Sequence, residues 1–136
     1  MSPYEILEHT ADIGLLARGE TPEQVFEEAT VGMLEIAGAW HPGDGATVEI
    51  EVEGPDLAAV LVDWLSEVLY VQDARNLSIG AVNVEAVSQH SAKGSVSVRP
   101  FAGDASEGVQ IKAVTYHQLS VEQTNEGWTA RVFFDV

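Results

Sequence analysis

A chain of 136 residues buries roughly 68% of its unfolded surface on folding and needs no covalent staple; with no cysteine it can form neither disulfides nor thiolate metal sites. Twenty-two acids stand against six bases, a formal net charge of −16, so direct RNA or DNA binding, which depends on Lys and Arg displacing counterions, is not expected. No apolar run reaches the roughly 18 residues of a membrane span and no signal-peptide core is present, so a single domain over 1–136, located in the cytoplasm and making no membrane contact, is the expectation.

Pro3 to Glu8 and Ile13 to Arg18 read as two short strands around the polar turn His9-Thr10-Ala11-Asp12. A helix start follows. Thr21 is an N-cap, Pro22 occupies the first helical position, and Gln24 completes a capping-box pattern. Val25, Phe26, Ala29, Met33 and Ile36 recur at helical spacing, with Gly38 as the stop. Ala39 to Ala46 is a loop. Beyond it Val48, Ile50 and Val52 alternate with Glu49, Glu51 and Glu53, the pattern of a half-buried strand.

Asp56 precedes a second amphipathic helix whose face is Leu57, Leu61, Trp64, Leu65, Val68 and Leu69. Leu77 to Val87 and Ser95 to Arg99 read as strands joined by a turn around His90 to Gly94, and a loop runs from Gly103 to Gly108. The last two strands, Val109 to Gln123 and Trp128 to Val136, flank the hairpin signal Asn125-Glu126-Gly127. The order is β-β-α-β-α-β-β-β-β. Hairpins dominate, which predicts an α+β fold: mostly antiparallel sheet packed with two amphipathic helices.

Familiar catalytic signatures are missing. There is no Gly-rich phosphate cradle and no G-x-S-x-G elbow. The four histidines, His9, His41, His90 and His117, lack zinc-protease spacing. A metal-dependent hydrolase built on the acids would lack both a base and a substrate loop.

Three segments nevertheless carry polar groups that a plain core does not need. In His9 to Asp12, either Thr10 and Asp12 bond their own turn, or the carboxylate serves a site. In "IKAVTYHQL", Lys112 is one of only two lysines and lies in a strand-like run. It either lines an exposed edge or is placed to meet an anion. Simple alternation puts Ile111, Ala113, Thr115, His117 and Leu119 on one face and Lys112, Val114, Tyr116 and Gln118 on the other. The third segment is "ARVFFDV", where Asp135 adjoins Val136 and its main-chain carboxylate. Hard cations such as Ca²⁺ and Mg²⁺ take oxygen ligands of this kind. A plain hairpin about Asn125 to Gly127 sets Asp135 opposite Tyr116, His117 or Gln118. Lys112 is then roughly four to six residues further along, beyond contact at about 3.4 Å per residue.

"EHTADIG", "LVDWLSEVLY", "IKAVTYHQL" and "RVFFDV" together resemble the archease family, in order and across essentially the whole chain. Ala81 to Gly108 matches no motif of the family, and lysine is unusually scarce. The resemblance implies a non-enzymatic protein cofactor of the GTP-dependent tRNA-splicing RNA ligase. Such a cofactor promotes the ligase's guanylylation and its multiple turnover. A chaperone-like role toward a tRNA methyltransferase is also implied. The resemblance further implies a divalent metal ion, calcium or else Mg²⁺ or Mn²⁺, held by Asp12, Asp135 and the carboxylate of Val136. Lys112 belongs to the same activating patch as Asp12 and Asp135, with His9, Tyr116 and His117 in support.

Overall fold

The computed structural model describes residues 3–8, 12–103 and 107–136. Along the chain run β1 (Tyr4–Glu8), β2 (Asp12–Gly19), α1 (Pro22–Ile36), β3 (Ala46–Glu53), α2 (Leu57–Ala74), β4 (Leu77–Val87), β5 (Ser91–Pro100), β6 (Ala113–Val114), β7 (Ser120–Thr124) and β8 (Gly127–Asp135). The strands form two sheets. One is ordered β1-β2-β8-β6, with β7 also paired to β8; the other is β3-β5-β4. Every strand pair is antiparallel, and the expected α+β class holds.

Both helix starts follow from local chemistry. The Thr21 hydroxyl accepts the Gln24 N–H at 3.1 Å, and the Asp56 carboxylate accepts that of Ala59 at 2.8 Å, so each cap satisfies a donor that the first turn cannot. The expected capping box differs in one detail: the Gln24 side chain accepts from the Glu20 N–H, at 2.7 Å. Beyond the end of α1, Gly38 takes φ +70, a left-handed conformation that glycine adopts without strain.

The core lies between the sheets and the helices. Leu15, Phe26, Met33, Leu61, Trp64, Leu65, Val132 and Phe134 are fully buried within it. Trp64 donates its indole N–H to Thr30 Oγ1 at 2.9 Å, and that hydroxyl donates to the Phe26 carbonyl at 2.7 Å. This buried polar pair is thereby satisfied.

Three strand expectations are corrected. The β4–β5 turn lies at Ser88–Ser91, because β5 begins at Ser91 and not at Ser95. Gly94 is inside that strand rather than in the turn. A Cβ there would lie against the Asn83 carbonyl and 3.0 Å from Trp64 Cη2, so this glycine makes room for the indole. Finally, the run from Val109 to Gln123 is not one strand. It is split into β6 and β7, giving eight strands among the described residues where seven were expected.

Candidate functional site

β2 and β8 lie side by side at the centre of the larger sheet. Their register pairs Ile13 with Phe134 and Leu15 with Val132 on the face that packs on α1. Alternation then sends Asp12, Gly14 and Leu16, with their partners Asp135, Phe133 and Arg131, to the other face. Asp12 and Asp135 are direct cross-strand partners. Asp12 is half-buried and Asp135 exposed. Among the described residues neither forms a salt bridge. Two like charges directly opposite each other oppose strand pairing.

The β6–β7 excursion sets what else comes near. Ala113 pairs with Asp135 and Val114 with Phe134, whereas Ser120 already pairs with Arg131. Five residues, 115–119, therefore stand against two, 132 and 133. Thr115 clasps the base of this excursion. Its N–H and its hydroxyl both donate to the Phe133 carbonyl, at 3.0 and 2.9 Å. Gln118 takes φ +49 at the far side, a left-handed conformation uncommon outside glycine.

The consequence overturns the hairpin arithmetic. Asp135 opposes Ala113, not Tyr116, His117 or Gln118. The Lys112 N–H donates to the Asp135 carbonyl at 2.7 Å. Lys112 thus stands beside the acidic pair along the backbone. Alternation from Ala113 directs its side chain to the other face, where Lys112 borders a hollow together with Tyr70 and Asp73 of α2. The second lysine, Lys93, lies in the other sheet, opposite Glu51 on β3.

The supporting residues divide. His117 lies edge-on to Phe133 with ring centroids 5.5 Å apart, and its N–H meets Thr115 Oγ1 at 3.3 Å. It lies over Phe133, which is only 1% exposed yet stands apart from the main core. Tyr116 is 63% exposed at the tip of the excursion. His9 lies outside the described residues, as do Thr10 and Ala11. Reading the sequence alone missed Thr115 and Phe133; the alternating pattern treats both as ordinary strand residues.

As a donor set, Asp12 and Asp135 offer only carboxylate oxygens on facing positions, which suits a hard divalent cation and not a soft one. The described residues contain no group of three His, Cys, Asp or Glu side chains close enough to hold a metal.

Two sheets, two covering helices and a cross-strand acidic pair define an α+β protein whose conspicuous polar chemistry is a pair of carboxylates. The profile of the Archease protein family (MTH1598/TM1083) matches residues 4–136, and the chain belongs to that family. It is 39% identical to the protein archease of Methanosarcina mazei, over 98% of this chain and 95% of that one. The archease of Pyrococcus furiosus is 32% identical with both chains fully covered. The fold is similar to the solution structure of Methanobacterium thermoautotrophicum protein 1598, with a TM-score of 0.74, 26% identity and complete coverage of both chains. It is also similar to the crystal structure of a Thermotoga maritima archease described as a "possible chaperone", with a TM-score of 0.67, 23% identity and coverage of 96% and 94%. No helix among the described residues is long and apolar enough to cross a membrane.

Proposed function

We propose that this archease is a protein cofactor, not itself a catalyst, that activates a GTP-dependent tRNA-splicing RNA ligase in the cytoplasm by promoting its guanylylation and multiple turnover. The observation that carries the reading is the Asp12–Asp135 facing pair, a repulsive contact that a bound cation would turn into a favourable one.

Asp12 and Asp135 would hold a divalent ion, with the Val136 carboxylate as third donor. Calcium suits such flexible oxygen donors; Mg²⁺ and Mn²⁺ are the alternatives. When bound, the ion supplies a fixed positive centre able to stabilise phosphate charge. The protein's own residues do the placing. The β2–β8 ladder holds the two carboxylates at one height, and the Lys112 N–H fixes the carbonyl of Asp135. The Lys112 ammonium is available for a phosphate or an acidic group of the ligase. His117, in the excursion, packs on Phe133, and Tyr116 belongs to the surrounding surface.

The test mixes the cognate ligase, GTP and Mn²⁺ with and without this protein, and scores nucleotide covalently attached to the ligase. The wild type should raise the label and Asp12→Ala should not. Full stimulation by Asp12→Ala rejects the mechanism.

A second reading is a chaperone-like modulator of a tRNA methyltransferase. The formal charge of −16 favours it, since a strongly acidic surface attracts and solubilises a basic partner. It differs in its outcome: methyltransferase recovery that falls steeply with salt and tolerates Asp12→Ala.

A further inference from the structure

We propose that the furrow between α2 and the 109–114 segment seats a short stretch of the partner protein in which a basic side chain stands next to an apolar one. This rests on the reading that the protein works by docking on the ligase; it adds where the docking occurs and what the docked segment carries.

Two hollows of about 350 and 400 Å³ share Leu69, Asp73 and Ile111, and so run together as one furrow. Its floor is apolar: Ile111 is 4% exposed and Leu69 9%. Its rim carries two of the few large hydrophobic residues left open to water, Tyr70 at 67% and Val109 at 43%. Either alone would be unremarkable, but both border the same trough, which suits an apolar side chain lying between them.

Charge selects the neighbour of that apolar side chain. Asp73 borders both hollows and lies in the last turn of α2, where there is no basic residue. The partial negative charge of a helix C-terminus is normally answered by Lys or Arg nearby. Here Asp73 adds to it; Lys112 lines only the second hollow, so in the first Asp73 is the one charged residue among the described residues that line it, and the basic side chain belongs there. Arg75, the C-cap, borders neither hollow. An arginine or lysine of the docked segment would answer both the carboxylate and the helix end.

The furrow and the acidic pair lie on either side of the edge strand β6. Lys112 and Ala113 line the furrow, yet Ala113 is the cross-strand partner of Asp135 and the Lys112 N–H bonds the Asp135 carbonyl. A segment seated against α2 would therefore bring the partner to the edge strand β6, and the partner would reach Asp12 and Asp135 by passing round that edge. Docking and activation then share Lys112 at the edge strand, while Tyr70 and Asp73 belong to docking alone.

The experiment measures binding of the cognate ligase to wild type, Tyr70→Ala, Asp73→Asn and Asp73→Lys, at low and moderate salt. Terbium luminescence on the same proteins reports the acidic pair. The expected result is ligase affinity at least tenfold weaker for Tyr70→Ala and Asp73→Lys, with a smaller loss for Asp73→Asn. Terbium binding should be unchanged, and guanylylation should recover when a variant is supplied in excess. Wild-type affinity in all three variants overturns the furrow as the seat and leaves the activation reading standing. No binding by the wild type overturns the ligase reading, and the furrow as that partner's seat with it.

Discussion

Asp135→Asn should stabilise the metal-free protein and abolish its response to calcium. Facing positions on antiparallel strands put their Cβ atoms about 4.5–5.5 Å apart. Two unit charges about 5 Å apart repel by about 0.8 kcal/mol in water and about 3.3 kcal/mol at an effective dielectric of 20. Asp135 is exposed and Asp12 half-buried, so the watery figure governs and removing one charge returns about 1 kcal/mol. For a domain of this size that is a rise of roughly 3–5 °C in Tm. Calcium at about 100 times its Kd would stabilise the wild type by about 2.7 kcal/mol, a larger rise. Thermal unfolding in EDTA and in calcium reads both terms. The variant should melt higher than wild type in EDTA and lower in calcium. Asp44→Asn, in an exposed loop, should change neither difference. A variant that melts lower than wild type in EDTA, or a wild type indifferent to calcium, refutes the reasoning.

Other predictions concern the scaffold. Thr30→Val leaves the Trp64 indole N–H without its acceptor in a fully buried position; urea unfolding should show a loss of about 1–3 kcal/mol. Gly94→Ala forces a methyl against the Asn83 carbonyl and Trp64 and should cost about 1–3 kcal/mol, with a changed tryptophan fluorescence spectrum. The Tyr4 phenol is pushed up from 10 to about 12, first by burial and then by its hydrogen bond to Glu35. A raised pKa means that this contribution is whole below pH 10 and is lost as pH rises toward 12. The wild type should therefore lose stability across that window, and Tyr4→Phe should be weaker below it and lose less within it.

What the sequence displays and what it hides differ by how local the cause is. Thr21-Pro22 and Asp56 mark helix starts because a cap is satisfied within three residues. The alternation of Val48, Ile50 and Val52 marks β3 for a similar reason: one face of a strand looks at the core. Gly94 misleads because a glycine signals a turn when read locally, and here its cause is Trp64 on another element. The split of Val109 to Gln123 is hidden in the same way. "IKAVTYHQL" alternates like a strand, but Thr115 bonds the Phe133 carbonyl on a neighbouring strand and the chain bulges between.

The candidate site follows the same rule. Hairpin counting from Asn125 to Gly127 cannot see three extra residues in the excursion, so it misplaces Asp135. Nor can it see that β2 pairs with β8 from the opposite end of the chain. The meeting of Asp12 with Asp135 was legible only as a resemblance among separated motifs. The neighbouring position of Lys112 depends on the excursion, so it too was legible from the resemblance alone and not from hairpin counting.

The central claim is that Asp12 and Asp135 act as one cation-holding unit, and a calorimetric calcium titration tests it most directly. The account predicts one ion per chain for wild type. It also predicts that Asp12→Asn and Asp135→Asn each abolish the heat as completely as the double variant does. Binding that survives both single substitutions at wild-type affinity, or is never seen with calcium, magnesium or manganese, would contradict it.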